Sequence, residues 1–263
     1  MIPVVSRRGP IVLAHRGGGA EAPENTMAAF EHARSLGVRH IETDAHLTAD
    51  GRVVLSHDDA VDRCFDGTGL IAQLDWREIS RLRHREAPGE KMPLLAEVLE
   101  AFPDMYFNID AKVPGVVEPL IEVIEEHRAA SRTLVASFKE SRLRAVRTRG
   151  SIPTSLGTEA VVRLVGAAKT ATDPSRWCVP GPSQGVVAAQ VPAGLGPLRV
   201  VDRRFVAAAH TLGLAVHVWT IDTAEEVLEL LDCGIDGIVT ERPTMVRDLL
   251  DSRGLWEAPQ APA

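Results

Sequence analysis

No apolar run in this chain of 263 residues approaches the ~20 that a membrane-spanning helix needs, and no amphipathic membrane-binding stretch is evident. Stable membrane insertion is therefore not expected. The apolar residues Ile11–Ala14 are too few for a signal-peptide core and run straight into a histidine motif, so they read as a strand. Positive charge is not in excess. With 29 Lys and Arg against 36 Asp and Glu, the net charge is −7, and no basic stripe stands out, which argues against nucleic acid as a partner. Cysteine is scarce and odd in number. Cys64, Cys178 and Cys233 lie far apart, which argues against a disulfide framework and fits reduced thiols in a cytoplasmic protein. No Gly-x-Gly-x-x-Gly turn marks a doubly wound dinucleotide-binding sheet.

What is present is a 45% hydrophobic chain in which short apolar runs alternate with helical patterns. Strands are predicted at 11–15, 40–47, 106–112, 133–138, 152–156, 186–191, 214–220 and 237–240. Helices are predicted at 26–36, 94–102, 116–127, 139–148, 159–168, 202–212, 224–232 and 245–250. Asn25 or Thr26 can cap the first helix and Gly37 can stop it. About eight βα units in succession make a (β/α)8 TIM barrel the predicted fold, as one domain over 1–256. Residues 58–92 form an insertion after the second strand, 169–185 a Pro- and Gly-rich loop, and 257–263 a tail expected to lack order.

Barrel active sites gather at the C-terminal strand ends. His15 ends strand one; Glu42 and Asp44, two residues apart, share one face of strand two; Asp110 and Lys112 repeat that spacing on strand three; His217 and Trp219 lie at the end of strand seven. A single acid in such a place is ordinarily a solvated or capping group, but a set of five strand-end groups is not. Glu42, Asp44 and Asp110 would repel one another unless a hard cation sat among them, and Mg²⁺ or Ca²⁺ suits oxygen donors better than Zn²⁺ does. Arg16 and Lys112 carry positive charge suited to a phosphate. His217 reads equally as a satisfied inward histidine or a catalytic one, and Trp219 as packing or as a substrate wall. The arginines of 142–149 read as a solvated helix face. If Asp50 and Gly51 are the two turn residues of a hairpin, His57 stands directly opposite Asp44, with Cβ atoms roughly 5 Å apart.

These residues fall into ordered motifs: His15-Arg16-Gly17, Pro23-Glu24-Asn25-Thr26, Ile41-Glu42-x-Asp44, Val54-x-x-His57-Asp58, Asn108-Ile109-Asp110-x-Lys112, Ser137-Phe138, Val218-Trp219-Thr220 and Gly234-Ile235-Asp236-Gly237. Over residues 11 to 250 the chain resembles the glycerophosphodiester phosphodiesterase family. The resemblance implies a TIM barrel with an insertion after strand two and a small-molecule glycerophosphodiester as substrate. It implies His15 and His57 as general acid and base, and Glu42, Asp44 and Asp110 as holders of a divalent cation. It also implies phosphate contacts from Arg16 and Lys112, with Glu24 and Asn25 supporting that shell. The expected reaction is hydrolysis to glycerol 3-phosphate and an alcohol; lysophospholipase D activity or a silent phosphoryl-binding barrel are the alternatives. Two positions depart from the family: Asp110 stands where glutamate is usual, and Glu241 replaces a common aspartate and is expected to be structural.

Overall fold

The computed structural model describes residues 8–149, 152–258 and 261. Eight parallel strands form a ring: β1 (Ile11–His15), β2 (His40–Leu47), β3 (Tyr106–Ala111), β4 (Thr133–Ala136), β5 (Thr154–Ser155), β6 (Val186–Pro192), β7 (Ala215–Trp219) and β8 (Gly237–Thr240). β1 pairs with both β8 and β2, which closes the barrel and leaves it no open edge. The strands are buried on both faces, as a helix-covered parallel sheet requires, and Val12, Ala14, Ile41, Ile109, Val216 and Val218 carry the outward face into the helical layer.

One helix follows each strand: α1 (Met27–Ser35), α2 (Leu95–Ala101), α3 (Val117–Glu126), α4 (Glu140–Arg149), α5 (Thr158–Thr170), α6 (Arg203–Thr211), α7 (Ala224–Leu231) and α8 (Pro243–Ser252). Local chemistry sets their ends. The Thr26 hydroxyl accepts the Ala29 amide at 3.2 Å to start α1, and Asp202 accepts the amides of Arg204 and Phe205 to start α6. α3 turns Val117, Leu120, Ile121 and Ile124 inward at helical spacing. Phe30 of α1 meets Phe102 and Phe107 edge-on at 6.1 and 6.2 Å, joining helix layer to strand.

Three expectations shift. β5 is two residues long: Pro153 has no amide to donate, so the strand begins at Thr154, and its register against β6 shifts between Thr154 and Ser155. The face carrying Arg142 to Arg149 is not simply solvated: Arg142 donates to the carbonyls of Ala111 and Lys112 at 2.9 and 2.8 Å, and Arg147 to Thr154 Oγ1 at 2.9 Å. The hairpin after β2 has a three-residue loop. Thr48 pairs with Arg52, Gly51 takes φ +81°, and Leu47 lies opposite Val53. The register moves by one, so Ser56 rather than His57 bonds Asp44 across the hairpin, with its amide 3.0 Å from the Asp44 carbonyl.

The insertion has a core of its own, built from Val54, Val61, Phe65, Ile71, Ile79 and Met92 around one short helix, Trp76–Ile79. The stretch from 169 completes α5 and then makes two 3-10 turns, Pro174–Trp177 and Pro182–Gln184. Of the tail, residues 259, 260, 262 and 263 lie outside the described residues.

Candidate active site

The register of three neighbouring strands brings the acids together. His15 of β1 is the partner of Glu42 on β2, and Asp44 of β2 is the partner of Asp110 on β3. Adjacent in-register positions on parallel strands point to the same face, so these groups crowd one end of the barrel. His15 Nε2 lies 3.7 Å from Glu42 Oε2. Lys112, just past β3, sets its ammonium 2.8 Å from Asp44 Oδ1 and 3.2 Å from Asp110 Oδ2.

The loop after β1 supplies the second wall. Arg16 and Asn25 both adopt φ +54°, a conformation few non-glycine residues take, and the Asn25 amide donates to the Arg16 carbonyl at 2.8 Å. This turns the Asn25 side chain onto β2: its Nδ2 donates to Asp44 Oδ2 at 3.2 Å, and its Oδ1 accepts the Thr43 hydroxyl at 2.6 Å. Gly17 is required beside them, since it has φ +86° and a Cβ there would stand 2.6 Å from the Ala29 Cβ. The Arg16 guanidinium is held between acids, with Nη1 at 3.2 Å from Glu24 Oε1 and Nε at 3.6 Å from Asp44 Oδ2.

Burial dominates the electrostatics. Burial, with Asp44 and Asp110 adding repulsion, pushes the Glu42 carboxyl well above its ordinary value. Burial also raises Asp110, with Asp44 contributing. Burial would lower the Lys112 ammonium, but Asp44 and Asp110 outweigh it and the net shift is upward. Burial, then the Arg16 charge, lowers the His15 imidazole against the opposing pull of Asp44 and Glu241. The cluster thus holds more negative charge than its environment favours.

As they stand, no three His, Cys, Asp or Glu groups among the described residues form a ready ion cage; the Lys112 ammonium bridges Asp44 and Asp110 instead. The donor chemistry nevertheless fits a hard cation. All three candidate ligands are carboxylates, and Asp110 Oδ1 is buried with no hydrogen-bond partner.

His57 lies beyond the hairpin, one residue later than the two-residue turn implied, and Asp44 does not orient it. Its own neighbour does: Nδ1 stands 2.7 Å from Asp58 Oδ1, on a side chain 38% exposed. Glu24 takes Arg16 on one side and Arg63 on the other. Trp219 packs edge-to-face on Phe138 at 6.0 Å, and Phe138 is exposed, so the pair makes an aromatic wall above β4 and β7. His217 is not at the mouth. It is buried inside the barrel, level with Gly237 at the start of β8, with Gln190 Nε2 3.3 Å from its Nδ1.

Two residues that the motifs do not single out join the site. Glu241, expected to be structural, sets Oε1 3.4 Å from His15 Nδ1. Arg63, inside the insertion, reaches both Asp58 and Glu24. The signal for Glu241 was its place directly after the last strand, where a barrel puts functional groups. Arg63 had none, since only folding brings the insertion back to Glu24.

Comparisons with known proteins bear on the chain as a whole. The profile of the Glycerophosphoryl diester phosphodiesterase family matches residues 15–245. The chain is 35% identical over 254 residues to a Mycobacterium tuberculosis protein named "Probable glycerophosphodiester phosphodiesterase 2", covering 95% of this chain and 94% of that one. It is 29% identical to the glycerophosphodiester phosphodiesterase of Caldanaerobacter subterraneus, over 93% of this chain and 99% of the relative. In fold it is similar to an Oleispira antarctica phosphodiesterase solved in complex with the product sn-glycerol-3-phosphate. The TM-score there is 0.76 at 24% identity, over 92% of this chain and 97% of the other.

Proposed function

The chain belongs to the glycerophosphoryl diester phosphodiesterase family, and from that premise we propose that it hydrolyses glycerophosphodiesters to glycerol 3-phosphate and an alcohol, with two histidines moving protons beside a divalent cation. The observation that carries this reading is the in-register pairing of Asp44 with Asp110, capped by Lys112 and flanked by His15 and Glu42 at one barrel end. The product in the Oleispira relative's crystal is the half of the substrate that this reading leaves phosphorylated.

Glu42, Asp44 and Asp110 hold the cation, either Mg²⁺ or Ca²⁺. When bound, it supplies charge for the nonbridging phosphoryl oxygens as negative charge grows there. Arg16 and Lys112 add cationic donors for the same oxygens, and Glu24 and Asn25 keep Arg16 and Asp44 in place. One histidine takes a proton from the nucleophile as its oxygen bonds to phosphorus, the nucleophile being water itself or the adjacent glycerol hydroxyl, whose cyclic phosphate a water then opens to glycerol 3-phosphate. The other gives a proton to the alkoxide as the P–O bond to the alcohol breaks. His57 suits such a role because Asp58 engages Nδ1 and leaves Nε2 for the substrate. The Phe138–Trp219 wall lies where the organic part of the diester can pack, and the insertion, rooted directly after His57, borders the leaving alcohol.

The test is release of the headgroup alcohol from glycerophosphocholine, glycerophosphoethanolamine and, in parallel, a lysophospholipid, with glycerol 3-phosphate measured for the first two, with and without chelator. Turnover of the two glycerophosphodiesters that stops with chelator and returns with Mg²⁺ or Ca²⁺ is the expected result. Turnover of the lysophospholipid alone would reassign the enzyme to lysophospholipase D, and no turnover of any would leave a binding barrel.

A further inference from the structure

Arg63 sits in the insertion, outside the strand-end cluster, yet its guanidinium uses three nitrogens on two acids of the site. Nε lies 2.6 Å from Asp58 Oδ2; Nη1 and Nη2 lie 2.9 and 2.6 Å from the two oxygens of Glu24. The far oxygen of Asp58 meets His57 Nδ1 at 2.7 Å, and Glu24 meets Arg16 Nη1 at 3.2 and 3.3 Å. One planar fork thus stands behind both the histidine and the arginine assigned to the substrate.

We propose that Arg63 is a positioning residue of the active site, which fixes Asp58 behind His57 and Glu24 behind Arg16 and so makes the insertion part of the catalytic geometry. This rests on the reading of His57 as a proton-transfer group and of Arg16 as a phosphate contact.

An isolated exposed ion pair orders little, but a fork that meets one carboxylate bidentately and a second through Nε is geometrically specific. The backbone beneath it is held, since Val61 and Phe65, two residues to either side, are both buried in the insertion's core and the Phe65 amide bonds the Val61 carbonyl at 2.9 Å. The acids respond to it: hydrogen bonding from Arg63 is the largest influence that holds Asp58 down at about 2, and Arg63 with Arg16 keeps Glu24 low against the effect of burial. Both carboxylates are therefore charged acceptors throughout the neutral range. A lysine could not do the same work, because a single ammonium cannot span both acids in the fork geometry.

The two branches predict separable kinetics. Arg63→Gln should lower kcat for glycerophosphocholine about tenfold, the scale on which loss of an orienting partner acts around a metal site, and should raise KM by weakening control of Arg16. In the Asp58→Asn background, Arg63→Gln should cost little further kcat, because the branch to His57 is already broken, yet should still raise KM. Arg63→Lys should fall between, and it serves the same comparison if the glutamine variant does not fold. The melting temperature is measured for each. A kcat unchanged in Arg63→Gln and Arg63→Lys, or effects of Arg63→Gln and Asp58→Asn that simply multiply, would overturn the proposal. His57→Ala separates the two levels. If it is inactive while Arg63→Gln is normal, only the role of Arg63 fails. If it keeps full activity, the proton-transfer reading fails and the positioning role goes with it.

Discussion

The Lys112 ammonium stands 2.8 Å from Asp44 Oδ1, a carboxylate only 2% exposed, so the lysine and a cation held there would draw on the same carboxylate. That pairing offsets part of the repulsion between Asp44 and its register partner Asp110, which would otherwise be two buried negative charges side by side. It also sets up a competition. Lys112→Met should tighten Mg²⁺ or Ca²⁺ binding in calorimetry while lowering kcat/KM, since the phosphate loses a donor. In chelator the same variant should lose roughly 3–5 kcal/mol of stability, the scale for stripping one partner from a buried pair. Weaker cation binding in the variant would show that the lysine supports the ion rather than competing with it.

Removing one acid should have the opposite effect on the cation-free protein. The Glu42 carboxyl is buried beside Asp44 and Asp110 and disfavours its charge. Glu42→Gln in chelator should gain on the order of 1 kcal/mol, about 2–4 °C in Tm for a chain of this size. It should lose cation binding and turnover at the same time. A lower Tm without cation would mean that Glu42 is satisfied where it stands.

The histidines should behave as one unit. His15→Ala and His57→Ala are each expected to lower kcat by ~10²–10⁴ while leaving cation affinity near the parent value. The double variant should be little worse than either single one, because both act on one transition state. Recovery of either variant in excess metal would make that histidine a ligand.

Glu241 should matter through His15. Its carboxylate lies 3.4 Å from Nδ1, the ring nitrogen that turns away from Glu42. Glu241→Ala should lower kcat about tenfold, with KM nearly unchanged, and Glu241→Asp should recover part of the loss. Equal loss in both variants with a lowered Tm would make the residue structural, as the family resemblance implied.

Asp58 gives a pH signature independent of turnover. Its carboxyl is held at about 2, chiefly by Arg63, whereas an unfolded chain has an ordinary value of ~3.9. A carboxylate lowered in the folded state adds stability above the unfolded value and loses it as pH falls towards the folded one. Asp58→Asn should therefore be less stable than the parent at neutral pH, and the gap should close between pH about 4 and about 2. Urea midpoints across that window measure it, and a gap that stays constant would refute the assignment.

The barrel and most of its mouth were legible in one dimension. Strand faces alternate with period two, so Glu42 with Asp44, and Asp110 with Lys112, had to share a face whatever the surrounding fold. The repeated exchange of short apolar runs for amphipathic helices left a closed parallel sheet as the way to bury both. Ends were less legible, because they depend on single backbone groups: Pro153 shortens β5, and one extra loop residue at Ala49 shifts the hairpin and takes His57 away from Asp44. The specific charge partners were less legible. That Asp58 rather than Asp44 orients His57, that Glu241 faces His15 from the far end of the chain, and that Arg63 folds back onto Glu24 follow from where the closed ring and the packed insertion set those backbones. The sequence determined which residue types reach the barrel mouth, through local periodicity; the tertiary structure alone decided which of them touch, because charge partners are chosen by distance in space.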